Sequence, residues 1–335
     1  MTARAADDAQ GSGGLRPVLL VATASVAFSV NDLVFKLLSG TYPLHEMMLV
    51  RSGVALILIA VFISTQHAAW RLMRTDRPGL HLLRACLMIT ANSAQYAALA
   101  ALPLADATAI YYSAPLLITV FSVFLLRDHV GPWRWLAVTV GLLGVVLIVR
   151  PGGSAYSAPA LLAVLSATVY ALSQILTRRL GRTDTALTMA FFSQLSFTLF
   201  ATLIGFSFGG GSFGDTGSAA ADFLLRAWSW PAPFDLFLLV ILGVISAVGG
   251  LMMTMAYRDG PPSLVASFEY LALPMSVVWG AIFWASLPDR WSTIGIALIL
   301  GAGIAVAYRE ARLGRKAYPK RNTLAGGAIM RDDFD

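Results

Sequence analysis

The sequence predicts an all-α membrane protein: ten transmembrane helices arranged as two inverted-topology five-helix repeats. Three observations lead there. First, only 13% of the 335 residues are charged and 57% are hydrophobic. A soluble domain carries roughly 25% charged residues, so this chain has too few charges to coat a water-facing surface and suits a lipid-facing one. Second, ten stretches are apolar and long enough to cross about 30 Å of hydrocarbon, which takes roughly 20 helical residues. Third, helices of the second five repeat features of the first five at a fixed offset.

In chain order, residues 1–16 are polar and read as a cytoplasmic tail. The spans then run 17–39, 44–66, 80–101, 104–126 and 132–150, followed by 158–178, 185–207, 235–257, 262–286 and 290–308. The apolar run after Arg16 is too long for a signal-peptide core and closes on no A-x-A site, so it is the first span, uncleaved. Pro43, Pro78, Pro103, Pro132, Pro159, Pro262 and Pro288 fall at span ends, where a missing N–H costs least. Pro115 and Pro274 fall inside spans, where each frees a carbonyl and bends its helix. The loop 208–231 contains Gly209-Gly210-Gly211-Ser212 and reads as a flexible linker, with a short interfacial piece around Phe223, Trp228 and Trp230. Residues 309–335 form a basic cytoplasmic tail. Domain by domain, 17–150 is the first repeat and 158–308 the second.

Lys and Arg set the orientation. With the N-terminus inside, 19 of the 24 fall on cytoplasmic segments and 3 (Arg150, Arg226 and Arg290) on the other side, while Lys36 and Arg51 lie within spans. This asymmetry places both termini in the cytoplasm and requires an even number of spans. The net charge of +6 reflects this bias and not a nucleic-acid surface. Cys86 is the one cysteine, so no intrachain disulfide forms, and it reads as a buried helical thiol. No Cys/His cluster suggests a metal or cofactor.

At an offset of 159, Ala107 aligns with Ala266, Tyr111 with Tyr270, Pro115 with Pro274, Phe124 with Phe283, and Gly144 with Gly303. Five helices per repeat is odd, so the second copy enters the membrane from the opposite face. Inverted repeats place a binding site near the midplane at their interface, and rocking of the halves gives alternating access. That points to secondary transport of a small molecule across the bilayer. No G-x-x-x-x-G-K-[ST] is present for direct ATP drive, and no H-E-x-x-H or G-x-S-x-G for a membrane-embedded enzyme. His45, His67, His81 and His129 all fall near span ends. A non-transporting receptor stays open as a third class.

Ser29-Val30-Asn31-Asp32 with Lys36, then Tyr42-Pro43-Leu44-His45-Glu46 and Arg51-Ser52, resembles the opening of EamA-type members of the drug/metabolite transporter superfamily. Leu104 through Pro115 to Arg127-Asp128, ending Gly141-Leu142-Leu143-Gly144, resembles the end of one EamA repeat, and Ser263 to Gly303 its second copy. The resemblance covers about residues 17–308. It implies a bacterial inner-membrane carrier of amino acids or of compounds such as riboflavin or S-adenosylmethionine, importing or exporting. Two departures are the long Gly-rich loop and Asp128 where the family carries Glu.

A charge at mid-bilayer costs at least a few kcal/mol, so ionisable groups there face a cavity or a partner. Asp32 and Lys36 are one helical turn apart and can pair. Alternatively, Asp32 or Asn31 meets substrate or a proton. Arg51 can pair with Asp32 or Glu46, or hold a substrate carboxylate with its planar fork. Glu269 is the sharpest candidate. It is either a proton carrier or a carboxyl held by a hydrogen bond from Tyr, Ser or Gln. Asn92, Gln95, Tyr96 and Leu99 form one polar-to-aromatic stripe, lining a cavity or bonding between helices. Tyr111, Tyr112, Gln174, Tyr270 and Trp279 join them. Together they suit an amphipathic solute with charged and ring-like parts. Gly141, Gly144, Gly243, Ala247 and Gly250 read as close-packing positions. The expected partners are that solute, the lipid bilayer, protons if Glu269 or Asp32 couples them, and a second copy if the protein dimerises.

Overall fold

A computed structural model describes residues 2–65, 74–127, 131–150, 157–211, 217–260 and 262–317, and the elements named here are all helices. The first half holds α1 (Thr2–Leu38), α2 (Leu44–Ser64), α3 (Pro78–Ala101), α4 (Leu104–Tyr111), α5 (Ala114–Leu126) and α6 (Pro132–Val149). The second half holds α7 (Ser157–Leu180), α8 (Ala186–Phe208), α9 (Ala219–Leu225), α10 (Pro233–Asp259), α11 (Pro262–Glu269), α12 (Ala272–Trp284) and α13 (Arg290–Ala317). Pro78, Pro132, Pro233 and Pro262 each open a helix, where their fixed φ fits and no N–H is missed. Thr185 caps α8 with its hydroxyl, which accepts from the Thr188 N–H at 3.1 Å.

By length and apolarity, seven helices among the described residues can cross a membrane. They are Arg16–Leu38, Leu44–Ser64, Leu104–Leu126 (α4 and α5 together), Pro132–Val149, Ala158–Leu180, Ala186–Phe208 and Pro233–Asp259. The third expected span is the 24-residue helix α3, but Arg84, Asn92 and Gln95 make it more polar than the seven. The last two expected spans contain the shorter apolar helices Ala272–Trp284 and Arg290–Val306. The bundle is apolar outside, and its interior combines an apolar core with buried polar side chains. Ile57, Val61, Leu203 and Phe206 are exposed, while Asn31, Gln95, Gln174 and Glu269 are buried.

The two spans with internal prolines are broken, not merely bent. Tyr112 and Ser113 separate α4 from α5, and Tyr270 and Leu271 separate α11 from α12. The turns close with tight bonds, Ser113 N–H to Ile110 O at 3.0 Å and Leu273 N–H to Tyr270 O at 3.1 Å. Pro115 and Pro274 then lie in the first turn of the second piece, where proline is tolerated. Both second pieces have 13 residues and end on a left-handed residue, Arg127 at φ 57° and Ala285 at φ 49°.

Packing pairs matching helices. Helix α4 lies against α12, and α5 against α11, so the two broken spans cross antiparallel. Helices α6 and α13 also run antiparallel: Gly141 is near Ala302, whereas Ile148 is near Gly295. A methyl added at Gly144 would come within 2.6 Å of the Gly295 carbonyl oxygen, so the backbones touch there. The contact of α3 with α7 is echoed by that of α10 with α1.

Several expectations need correction. Helix α1 begins at Thr2, so the polar N-terminal segment is helical and continuous with the first span. Helix α13 continues to Ala317, past the expected span end at 308. Cys86 is exposed, on the outward face of α3 with Leu82 and Leu83. Phe223 is buried in the core, whereas Trp230 is 87% exposed. The loop 208–231 is tied down where it is described. Ser229 N–H donates to Glu46 at 3.1 Å, Arg226 donates to Ser39 O at 3.2 Å, and Ala232 N–H donates to the Tyr42 hydroxyl at 3.0 Å. Residues 212–216, Asp128, His67, His129 and the tail beyond 317 lie outside the described residues.

Candidate functional site

Both breaks lie beside one cavity. It holds about 770 Å³ of space unfilled by protein atoms, its mouth included, between α1, α2, α3, α7, α10 and the two broken spans. A narrower chamber shares Arg51, Arg84, Asn92 and Gly250 with it and extends between α2, α3, α8 and α10.

The two ends differ chemically. At one, Glu269 is 2% exposed and accepts hydrogen bonds from the hydroxyls of Tyr257 and, at 3.2 Å, Tyr170. The Tyr111 ring packs 5.2 Å from Tyr170 and 5.4 Å from Tyr112, edge-on to the latter. At the other end, Arg51 is 2% exposed and donates to the Tyr96 hydroxyl at 3.0 Å. Its guanidinium lies 5.3, 5.5 and 5.7 Å from the rings of Phe35, Tyr96 and Phe197, a cation–π cage. Phe35 and Tyr96 are themselves stacked at 3.8 Å.

Nine of the thirteen anticipated residues line the cavity. Asp32, Arg51, Asn92, Gln95 and Tyr96 come from the first three helices, and Tyr111, Tyr112, Gln174 and Glu269 come from the rest. The Gln95 side chain is 4% exposed and both its amide atoms lack a partner. Asn92 instead bonds back along its own helix, donating to Met88 O at 2.9 Å.

The other four stand behind the wall or away from it. Asn31 is fully buried and donates to Tyr96 at 2.8 Å and to Asp32 at 3.4 Å, so it positions both. Lys36 does not pair with Asp32. Its ammonium donates to the carbonyls of Leu99 and Leu102, both at 2.6 Å, because the end of α3 offers two free carbonyls in reach. Tyr270 packs on Gly303 with its hydroxyl unpartnered. Trp279 donates to Ser29 at 3.5 Å. Nor does Arg51 pair with Glu46, whose carboxylate accepts from Ser229.

Sequence reasoning placed Arg84 in a cytoplasmic segment. It is 4% exposed and lines the cavity, donating to Thr177 at 2.7 Å, to Ser193 at 2.6 Å and to Met189 O at 3.3 Å. The signal was present: Arg84, Met88, Asn92 and Gln95 continue one helical stripe. Tyr170 was also missed, one turn before Gln174 on α7. Gly250 is a cavity residue in addition to a packing position, whereas Gly243 fits tightly against Val54.

Residues 15–150 match the EamA-like transporter family. The chain is an EamA-type transporter. This EamA-type chain is 29% identical over 300 residues to a riboflavin transporter of Rhizobium johnstonii, covering 89% of this chain and 93% of that protein. It is 28% identical over 291 residues to the pseudopaline exporter CntI of Pseudomonas aeruginosa, covering 87% and 95%. An S-adenosylmethionine uptake transporter of Rickettsia prowazekii is 22% identical over 285 residues, covering 85% and 90%. One crystal structure, 21% identical, superposes with a TM-score of 0.68 over 88% of this chain and 98% of that one, which shows a shared fold. The EamA-type chain is thus a multi-pass inner-membrane protein acting on a small molecule.

Proposed function

We propose that this protein is a secondary transporter that moves a small amphipathic metabolite, an amino acid or related compound, across the inner membrane by alternating access. The halves are two inverted five-helix repeats, ten spans in all, with both termini cytoplasmic. The antiparallel crossing of α4–α5 with α11–α12 supports the inversion, as does the matching break in each span. The positive bias of the expected inner loops supports the orientation. The observation that carries the reading is the cavity itself: Asp32, Arg51, Arg84 and Glu269 gather in it, inside a bundle whose exterior is apolar. Buried charges at this depth are costly and mark solute or ion routes.

Alternating access requires the two halves to rock about the cavity, opening it to each side in turn. The breaks at Tyr112-Ser113 and Tyr270-Leu271 supply points where each span can flex. Drive comes from the solute gradient or from protons carried by Glu269 or Asp32, and the protein can act as a homodimer. A second reading, an importer of a vitamin-like or nucleoside-like solute, is favoured by the tyrosine-rich wall and by two relatives named for riboflavin and S-adenosylmethionine. Counterflow in proteoliposomes across amino acids, riboflavin, S-adenosylmethionine and polyamines decides between them. Accumulation of a labelled solute against its preloaded form supports transport. Turnover of a lipid or peptide by protein in detergent, with no flux in sealed vesicles, would replace it with an enzyme.

A further inference from the structure

Resting on the transport reading, the two arginines narrow the solute. Arg51 and Arg84 both line the main cavity and its side chamber. Guanidinium groups stay charged in any protein environment, and a buried charge is normally met by an opposite one. Here neither arginine makes an ion pair among the described residues. Their acceptors are neutral: Tyr96, Thr177, Ser193 and a backbone carbonyl. The side-chamber wall contains both arginines and, among the described residues, no carboxylate. The Arg51 Nε–H is buried without an acceptor.

We infer that Arg51 and Arg84 form an anion subsite, and that the transported solute carries a carboxylate bound between them. The solute's other end lies towards Glu269 and the tyrosines, which suit an amine, hydroxyl or ring. Gln95, unpartnered at both amide atoms and 4% exposed, completes the polar wall between the two ends. Asp32 lies on the main-cavity wall near enough to Arg51 to interact with its charge, but forms no ion pair with it; an uncharged ring compound would leave Arg84 on hydroxyl and carbonyl acceptors alone and the side chamber without a counter-charge. Arg84 also ties α3 to α7 and α8, so a test must read selectivity as well as stability.

Full-length protein in detergent is melted with matched pairs: aromatic, aliphatic and N-carboxyalkyl amino acids, each against its primary amide, with riboflavin as an uncharged ring compound. At least one acid should raise the melting temperature while its amide and riboflavin do not. Arg84→Gln and Arg51→Gln should weaken acid binding by about 10- to 100-fold, as loss of a charge-assisted contact predicts. Arg84→Lys, keeping charge without the fork, should recover part of it. If Arg84→Gln does not elute as a single species, Arg51→Gln and Arg84→Lys decide. Amides binding as well as their acids, no acid binding, or wild-type acid affinity in the folded Gln variants would each overturn the subsite. The same pairs in sealed proteoliposomes separate the two ideas. Arginine-dependent binding without flux removes transport and leaves the subsite, whereas flux of amides or riboflavin removes the subsite and leaves transport.

Discussion

At the break after Tyr111 the cavity wall is aromatic; at the break after Glu269 it is acidic. The two breaks occupy equivalent positions, yet Ile110 aligns with Glu269 and Tyr111 with Tyr270. Ile110 is buried in the core, while Glu269 faces the cavity. Tyr111 lines the cavity, while Tyr270 packs on Gly303 with its hydroxyl unpartnered. The backbone at the two breaks is therefore alike, and the chemistry of the side chains is not.

The largest expected effect comes from forcing symmetry. Ile110→Glu places a carboxyl where no cavity or donor awaits it, and should cost about 3–5 kcal/mol, as an uncompensated buried charge does. A variant with unchanged melting would mean the two breaks are chemically interchangeable. Next come the aligned glycines. Gly144→Val meets a backbone carbonyl that cannot move aside, whereas Gly303→Val meets the Tyr270 ring, a side chain. Overpacking costs about 1–3 kcal/mol; Gly144→Val should lie at the upper end and Gly303→Val below it, and the reverse order in thermal melts would refute the packing argument.

Glu269→Gln keeps the shape and can still bond Tyr170 and Tyr257, but holds no transferable proton. Uptake should lose its pH dependence while the protein stays folded; an unchanged pH profile removes Glu269 from coupling. Between the ends of α6 and α13, the Arg150 guanidinium beside Asp289 holds that carboxyl down at about 2, below its ordinary 3.8. Because the folded value is depressed, the bridge contributes above pH 3.8 and is lost as pH falls towards 2. Both partners are over a third exposed, so Asp289→Asn should cost less than about 1 kcal/mol at neutral pH. The difference from wild type should shrink between pH 4 and 2, and a gap persisting at low pH would assign the effect elsewhere. Smallest of all, Tyr270→Phe deletes an unpartnered hydroxyl and should leave melting within about 0.5 kcal/mol and flux unchanged.

Much of this fold was legible because lipid imposes blunt rules. Apolar length marked spans such as 44–66, and prolines marked their starts. The pairing of Pro115 with Pro274 was readable at the offset of 159, although only the structure showed that both accompany complete breaks. Four-residue spacing failed at Asp32 and Lys36, since helix geometry permits a pair but does not rank it against the carbonyls of Leu99 and Leu102. Counting arginines by segment hid Arg84, because a residue near a span end can still point inward. Cys86 was misplaced for a related reason: side-chain type does not reveal which way a helix turns. The cavity's partnered and unpartnered groups, Glu269 against Gln95 and Arg51, arise from contacts across elements far apart in the chain.

Access to Gln95 tests the central claim most directly. In a Cys86→Ser background, Gln95→Cys places one thiol on the cavity wall, and a membrane-impermeant maleimide can be applied to right-side-out and inside-out vesicles. Two antiparallel halves rocking around a wet cavity predict labelling from both sides, slowed from each by transported solute. Labelling from one side alone, or from neither, would contradict alternating access.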